Sequence, residues 1–352
     1  MTEVAEKRVI TYCEAINEAL IQSMEKDKTV FVYGLDVDDK KRTYGTGVNL
    51  VEKFGPQRCF STPLSEDALM GIGIGAALNG LRPVNVHIRV DFLLLAMNQL
   101  TNMASTCCYG SNGELKVPLV IRAMIGRGWG QGFQHSKSLQ SIFAHIPGLK
   151  VVMPTTPYDA KGMLISAIED NNPVVFLEHR WLHWTEGEVP QEYYKITLGK
   201  ANVLRKGSDV TVIATSWMNI EALKAAEIME KSGVSIEVVD ARSISPLDEE
   251  LLIGSVNKTS RCMVADYDWL NCGLSAEIAA RLQEKCFSNL RSPIVRIGFA
   301  PTPCPTTRPL ESEFYPNAFT IVRAVEKMLG LAPTDLSQET LYTYENKFRG
   351  PF

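Results

Sequence analysis

Ser61-Thr62-Pro63-Leu64-Ser65-Glu66-Asp67 sets two acids directly behind a serine, after a short β-prone run and at the start of a helical one. Ser65 there is a natural helix cap, and both acids favour the positive end of the helix dipole. Composition carries these residues no further than that. Gly71-Ile72-Gly73-Ile74-Gly75-Ala76 fits a relaxed G-x-G-x-x-A dinucleotide fingerprint, with Asp91 20 residues beyond Gly71. That fingerprint works only when its first glycine turns directly out of a strand. Here the glycines come a turn or two into a helix opening at Ser65, where they are expected to let another backbone pack closely. A nicotinamide-dependent dehydrogenase is the weakest reading.

A second glycine-rich stretch, Gly126-Arg127-Gly128-Trp129-Gly130-Gln131-Gly132, directly follows a β-prone run ending near Met124. It lacks the G-K-[ST] ending of a P-loop, but it sets a loop at the carboxyl end of a strand, where open α/β sheets build their sites. His135 follows, then Ser136, a potential helix cap. The histidine reads equally as structural or catalytic. His179 and His183 stand at H-x-x-x-H spacing, but after a β-rich run and with no glutamate between them, so no metal site is expected there. The eight cysteines form no C-x-x-C pair, so neither a disulfide framework nor a cysteine zinc site is indicated. They read as buried or incidental thiols of a reducing compartment.

The elements that must position these residues alternate along the chain. Strands are expected at 29–33, 84–90, 117–124, 150–153 and 173–177, and helices at 11–26, 65–78, 92–107, 136–145 and 157–170. The first helix carries an apolar stripe of Ala15, Ile16, Ala19, Leu20 and Met24. The rhythm breaks between Trp181 and Tyr194, then restarts with strands at 209–215, 235–240, 262–266 and 293–297 and helices at 219–231, 248–257 and 273–284. This argues for an α/β fold of two domains, each a mostly parallel sheet covered by helices. The expected division is 1–195, 196–331 and a polar tail over 332–352 with scattered aromatics.

Composition narrows the classes. With 352 residues, 45% hydrophobic and 22% charged, the chain is long enough for a full core in each domain. Its net charge is −4 and its longest basic run is Lys40-Lys41-Arg42, which disfavours nucleic acid and anionic membranes as partners. The longest apolar run, Phe92 to Met97, is far short of the roughly 20 residues that span a bilayer. The first residues lack the apolar core of a signal peptide and the Arg-rich look of a transit peptide, so a cytoplasmic location is expected.

Phe60-Ser61-Thr62-Pro63-Leu64-Ser65-Glu66 followed by Gly71-Ile72-Gly73-Ile74-Gly75 resembles a segment of the beta subunits of heterotetrameric, thiamine-diphosphate-dependent 2-oxoacid dehydrogenases of the pyruvate and branched-chain type. The likeness continues through Gln134-His135-Ser136, Ile146-Pro147-Gly148, Asp159-Ala160-Lys161-Gly162, Arg242-Ser243-Ile244-Ser245-Pro246, Gly273-Leu274-Ser275-Ala276-Glu277 and Pro303-Cys304-Pro305, covering roughly residues 8 to 330 in order. It implies a transketolase-like fold, with a pyrimidine-binding domain first and a transketolase C-terminal-like domain second. It implies an alpha subunit that holds the diphosphate and its Mg2+ through a G-D-G…N-N motif, which this chain lacks, and beta–beta contact in an alpha2beta2 tetramer. A lipoyl acyltransferase core is a further partner the family uses.

Carried over residue by residue, Glu66 falls on the glutamate that hydrogen-bonds the aminopyrimidine ring and activates the cofactor. Phe92 falls on the aromatic that packs against that ring, though core packing would account for it as well. His135 falls on the histidine that orients substrate and assists acyl transfer. The implied activity is decarboxylation of a 2-oxo acid with transfer of the acyl unit to a lipoyl disulfide. A transketolase-like or carboligase transfer to another acceptor, or a non-catalytic interaction subunit, are the alternatives.

Departures from the family pattern cluster near the expected site. Gly34 is followed by Leu35 where an acid is usual, Lys137 replaces a common glutamine, and Ser105-Thr106-Cys107-Cys108 and His87-Ile88-Arg89 are unusual. A leucine cannot carry a proton, so the two sites of the tetramer are expected to communicate less than in relatives. The tail beyond Leu331 is expected either to pack over a docking surface through Tyr342, Tyr344, Phe348 and Phe352, or to be a plain terminus.

Overall fold

A computed structural model describes residues 8–39, 43–126 and 130–341. The run Lys40–Arg42, the loop residues Arg127–Trp129 and the tail aromatics Tyr342, Tyr344, Phe348 and Phe352 lie outside the described residues. The chain divides into two compact units. One holds the chain up to Met124 with His145–Leu198; the other takes Ile125–Ala144 and the chain from Gly199 onward.

Strand β1 (Val9–Thr11) hands over to helix α1 (Tyr12–Lys26) at Thr11, whose side chain accepts the Glu14 N–H while the Glu14 carboxylate accepts the Thr11 N–H at 2.7 Å. This reciprocal cap satisfies two otherwise orphaned donors. The apolar stripe read from the sequence is buried along α1. Then come β2 (Val30–Gly34), α2 (Leu50–Phe54), β3 (Cys59–Ser61), α3 (Glu66–Leu78), β4 (Arg82–His87), α4 (Val90–Leu93), α5 (Ser105–Gly110) and β5 (Val120–Ile125). Helix α6 (Gln140–Ala144) is followed by β6 (Lys150–Val152), α7 (Pro157–Glu169), β7 (Val174–His179) and β8 (Glu186–Glu188). In the first unit the strands run in the order β6-β7-β5-β4-β2-β3, with β2 parallel to β3 and β4, β4 to β5, and β6 to β7. Strands β1 and β8 form a separate antiparallel pair. Helices α1 and α7 pack on each other, and the buried ammonium of Lys161 bonds Glu18 at 2.8 Å and the carbonyls of Pro190, Gln191 and Glu192, tying down the segment after β8.

Two expected helices come out differently. Over 92–107 there is no continuous α-helix but α4, a 3-10 turn at Leu94–Ala96, a π turn at Gln99–Ala104 and α5. The hydroxyls of Thr101, Ser105 and Thr106 donate back to the carbonyls of Met97, Thr101 and Asn102, competing with a regular ladder. Gly148 also presses on this segment: at φ 92°, a methyl group there would overlap the Ser105 carbonyl. Over 136–145 only Gln140–Ala144 is helical, because the Ser136 carbonyl accepts the Tyr315 hydroxyl at 3.1 Å and the Lys137 carbonyl accepts the Gly126 N–H. Ser136 is therefore no helix cap.

The second unit contains β9 (Asn202–Arg205), β10 (Val210–Ala214), α8 (Trp217–Glu230), β11 (Ile236–Asp240), β12 (Ser243–Ser245), α9 (Glu249–Thr259), β13 (Cys262–Trp269), α10 (Leu274–Cys286), β14 (Val295–Phe299), α11 (Arg308–Phe314) and α12 (Ala318–Leu329). Its sheet has the order β14-β13-β10-β11-β9, parallel except for the antiparallel edge strand β9. Helix α12 buries Ala318, Ile321, Val322 and Val325, opens on an Asn317–Thr320 capping box and stops at Gly330 in the left-handed conformation. Beyond it, the Thr334 N–H donates to Glu326 at 2.6 Å, and Glu339 pairs with Lys224 of α8 at 3.1 Å and with Lys231 just after that helix. Among the described residues no helix is long and apolar enough to cross a membrane.

Candidate active site

In the first unit the chain leaves β2 for β3 on one side and returns to β4 on the other, so strand order reverses at β2. Loops at the carboxyl ends of such strands flank a crevice, the usual ligand position of an open parallel sheet. Leu35 follows β2, Glu66 follows β3, and Phe92 follows β4. The helix carrying Glu66 packs against the 94–104 segment that continues from Phe92.

Glu66 is the first residue of α3 and is 9% exposed, yet its carboxylate makes no hydrogen bond among the described residues. Ser65 occupies the cap position but its side chain bonds no backbone N–H of the first turn. The capping account of this motif therefore fails at the serine. What remains is a nearly buried acid at a strand–helix turn with its hydrogen-bonding capacity unspent. Phe92 leaves a ring 38% exposed on the short turn after β4. An acid and a half-open aromatic at neighbouring loops can bind a planar heterocycle with ring-nitrogen acceptors. His135 lies in the second unit, on the non-helical residue that ends the 3-10 turn Gly132–Gln134, and is half-buried.

The departures fall as follows. Leu35 is half-buried with its N–H directed to the Val86 carbonyl at 3.4 Å, and neighbouring Asp36 has φ 52°. His87 is buried and shares a hydrogen bond with Asn85 Oδ1; burial pulls its imidazole down to about 4, so the ring is neutral at pH 7. Lys137 donates to the Phe133 carbonyl at 2.6 Å. Both residues line a cavity of about 670 Å3 in the second unit, walled also by Trp269, Phe299 and Pro303.

His183 of the H-x-x-x-H pair belongs to a buried polar network that the spacing did not reveal, while His179 accepts the Trp181 N–H at 3.2 Å. Arg122 meets Glu178 with both arms, Nε to Oε1 at 2.6 Å and Nη2 to Oε2 at 2.9 Å. His183 Nε2 reaches the same Oε2 at 3.0 Å, and its ring stacks on Tyr44 at 4.5 Å. Burial alone would raise Glu178, but Arg122 and His183 outweigh it and hold the carboxyl down at about 2. The Tyr44 hydroxyl accepts Arg180 at 2.7 Å and Arg89 at 3.2 Å, fixing the left-handed turn at 43–45 that follows β2. The readable signal was Glu178 and Arg180 flanking His179. Among the described residues no three His, Cys, Asp or Glu side chains group as metal ligands.

Residues 8–183 match the family described as transketolase, pyrimidine binding domain, and residues 199–321 that described as transketolase, C-terminal domain. The chain is 40% identical over 322 residues to the 2-oxoisovalerate dehydrogenase subunit beta of Bacillus subtilis (strain 168), covering 91% of this chain and 98% of that one. It is 41% identical to the acetoin:2,6-dichlorophenolindophenol oxidoreductase subunit beta of Cupriavidus necator, over 90% of this chain and 96% of the relative. The pyruvate dehydrogenase E1 component subunit beta of Bacillus subtilis (strain 168) is 39% identical, over 91% and 98%. Among solved structures, a chain titled split gene transketolase, inactive beta4 tetramer, superposes with a TM-score of 0.72 at 24% identity, covering 92% of this chain and 99% of the other, a likeness of fold.

Proposed function

Because the chain belongs to the beta subunits of thiamine-diphosphate-dependent 2-oxoacid dehydrogenases, we propose that it forms half of a decarboxylating active site, completed by an alpha subunit that carries the diphosphate and Mg2+ ligands. When bound, thiamine diphosphate supplies the nucleophilic carbon that attacks a 2-oxo carbonyl and holds the electrons released on loss of CO2. Glu66 would hold the aminopyrimidine by a hydrogen bond to its ring nitrogen and so favour the tautomer that accepts a proton. Phe92 packs against the same ring. His135 would donate to the substrate carboxylate and then protonate the thiolate that leaves when the acyl unit opens the lipoyl S–S bond.

The observation that carries this reading is the Glu66 carboxylate, nearly buried at the strand-order reversal and without a hydrogen-bond partner among the described residues. Leu64 before α3, Ile72 on it, and Leu95 and Met103 on the segment packed against it are exposed, which supports a partner surface around this helix. The cytoplasm is the compartment this assembly would occupy.

The test is Glu66→Gln in the alpha–beta complex. An amide still hydrogen-bonds but does not relay a proton, so proton–deuterium exchange at the cofactor's reacting carbon should fall at least a hundredfold with assembly intact. Exchange at the wild-type rate would remove Glu66 from the mechanism. Reduction of dichlorophenolindophenol by the same complex, offered pyruvate, branched-chain 2-oxo acids and acetoin in turn, separates 2-oxo acid decarboxylation from cleavage of a hydroxyketone. That second reading draws on the acetoin-named relatives, which match this chain as closely as the oxoacid-named ones. Acyl transfer to a lipoyl domain, scored beside it, decides the acceptor.

A further inference from the structure

Strand order in the second unit reverses between β10 and β13, and the crevice expected at their carboxyl ends is filled by the chain itself. Thr215 directly follows β10 and Asp266 lies on β13. Into this corner comes the start of α6, with Gln140 and Ser141, a few residues beyond His135.

Asp266 is 1% exposed and uses its two oxygens unequally. Oδ1 accepts the Thr215 hydroxyl at 2.6 Å and the Gln140 amide at 3.0 Å, while Oδ2 is buried and accepts nothing. Asp268, two residues on, serves both oxygens: Oδ1 takes the Trp269 N–H and Oδ2 the Ser141 hydroxyl, each at 2.7 Å. Gln140 has a defect complementary to that of Asp266. Its Nε2 donates to Asp266 and to the Tyr267 carbonyl at 3.2 Å, but its Oε1 is buried without a donor.

Two donors on one oxygen and none on the other is the pattern of a neutral carboxylic acid, with Oδ1 as carbonyl and Oδ2 as hydroxyl. A proton on Oδ2 is also the donor that Gln140 Oε1 lacks. It would close a two-armed acid–amide pair on side chains already joined by one arm. We propose that Asp266 is a positioning residue held as a neutral acid, gripping the Gln140 amide by both arms and anchoring the segment that carries His135 to the end of β13.

Burial acts on both carboxyls at this end of β13. Burial raises Asp266, against the opposing hydrogen bonds of Thr215 and Gln140 and the nearby N–H groups of Tyr267 and Ser275. Burial, then the negative charge of Asp266, pushes Asp268 up to about 7, so electrostatics alone would set a shared proton on Asp268; it is the hydrogen-bond pattern that assigns it to Asp266. Of the elements packed on Asp266, α6 presents Gln140, β10 leads to Thr215 and α10 contributes Ser275, so the charged group facing it is Asp268 on its own strand. Two adjacent buried carboxyls favour holding one proton between them. The hydrogen bonds give that proton to Asp266 Oδ2, because each oxygen of Asp268 already accepts a donor. Any effect on turnover rests on the role proposed for His135; the clamp itself does not.

The test uses the full chain assembled with its alpha partner at pH 7, without substrate. Infrared difference spectra of wild type against Asp266→Asn should show a protonated-carboxyl C=O band that the variant lacks. Gln140→Met should leave that band present but shifted, because its hydrogen-bond partner is gone. Hydrogen exchange over residues 130–144 should stay within twofold of wild type in Asp266→Asn, whose amide copies the acid's donor and acceptor. It should quicken at least tenfold in Gln140→Met. Absence of the band from wild type, or a band unmoved by Gln140→Met, overturns the proposal, as does tenfold loss of protection in Asp266→Asn. These readouts stand whether or not His135 handles acyl groups, so the two ideas fail separately.

Discussion

Gly73 sits directly beneath the hydroxyl of Tyr33: a methyl group on its backbone would overlap the phenol oxygen, which donates to the Leu69 carbonyl one turn earlier in α3 at 3.0 Å. Gly73 thus makes room for a side chain from β2 rather than for a second backbone, while Gly71 and Gly75 meet no close neighbour. Gly73→Ala should destabilise the chain by about 1–3 kcal/mol through overpacking, despite alanine's better helix propensity. Tyr33→Phe should lose only about 1 kcal/mol with its hydrogen bond. The double variant should be no less stable than Tyr33→Phe alone, and chemical denaturation of all three tests that non-additivity. Simple addition of the two losses would mean that the phenol is not what excludes the methyl group.

The Arg122–Glu178 pair predicts a loss specific to charge. Glu178→Gln keeps shape but leaves a buried guanidinium without its anion, a change worth about 3–5 kcal/mol. Because the folded carboxyl is held down at about 2, its contribution is complete above the unfolded value near 4.5 and disappears as pH falls from there to 2. Stability measured from pH 5 to pH 2 should decline in wild type and lose that component of the slope in Glu178→Gln.

His87 acts in a separate window. Burial depresses its folded pKa to about 4, from an ordinary 6.5, so the unfolded chain takes up the proton first on acidification. Its stabilising effect is therefore full above pH 6.5 and is lost between 6.5 and 4, to the extent of about 3 kcal/mol. His87→Gln should flatten the pH dependence of unfolding across that window while leaving the Glu178 window untouched. An unchanged slope would place the proton elsewhere.

How far the sequence could be read depended on how local each signal was. The stripe Ala15, Ile16, Ala19, Leu20 and Met24 is a property of one helix, and all five residues are buried. The alternation of strands and helices likewise rests on short-range periodicity, and gave two parallel-sheet domains with ends displaced by a residue or a few. Helix 136–145 failed because a tyrosine 179 positions away from Ser136 takes its carbonyl. The same blindness hid Asp266, whose partner Gln140 is 126 residues distant. In the 92–107 run the apolar pattern was helical, while the hydroxyls of Thr101, Ser105 and Thr106 turned the backbone aside. At the site, Glu66, Phe92 and His135 came from likeness to a family; residue chemistry alone offered Glu66 only as a helix-end acid. That its carboxylate is left without a hydrogen bond among the described residues depends on Ser65 not capping and on tertiary burial, neither of which is local to the motif.

The start of the tail gives the last prediction. Residues 332–341 fold back within the second unit: Thr334 bonds Glu326 on α12, and Glu339 pairs with Lys224 on α8 and with Lys231 at its end. If a lipoyl acyltransferase core docks at this end of the chain, Glu339 would cover two cations that an acidic segment of that partner would otherwise meet. Hydrogen bonds from Lys231 and Lys224 keep the Glu339 carboxyl below its ordinary range, so the contact persists through neutral pH. It is solvent-facing, and salt should weaken it. Truncation after Leu331 and Glu339→Lys remove or repel the same contact by different means. Both should tighten binding to a lipoyl acyltransferase several-fold at low salt, leave alpha–beta assembly unchanged, and converge on wild type as ionic strength rises. Binding by calorimetry at two salt concentrations decides it. If the truncated chain tightens and Glu339→Lys does not, the covering is done by residues beyond Glu339, and the ion pairs merely attach the tail; if neither changes, the tail covers no docking surface.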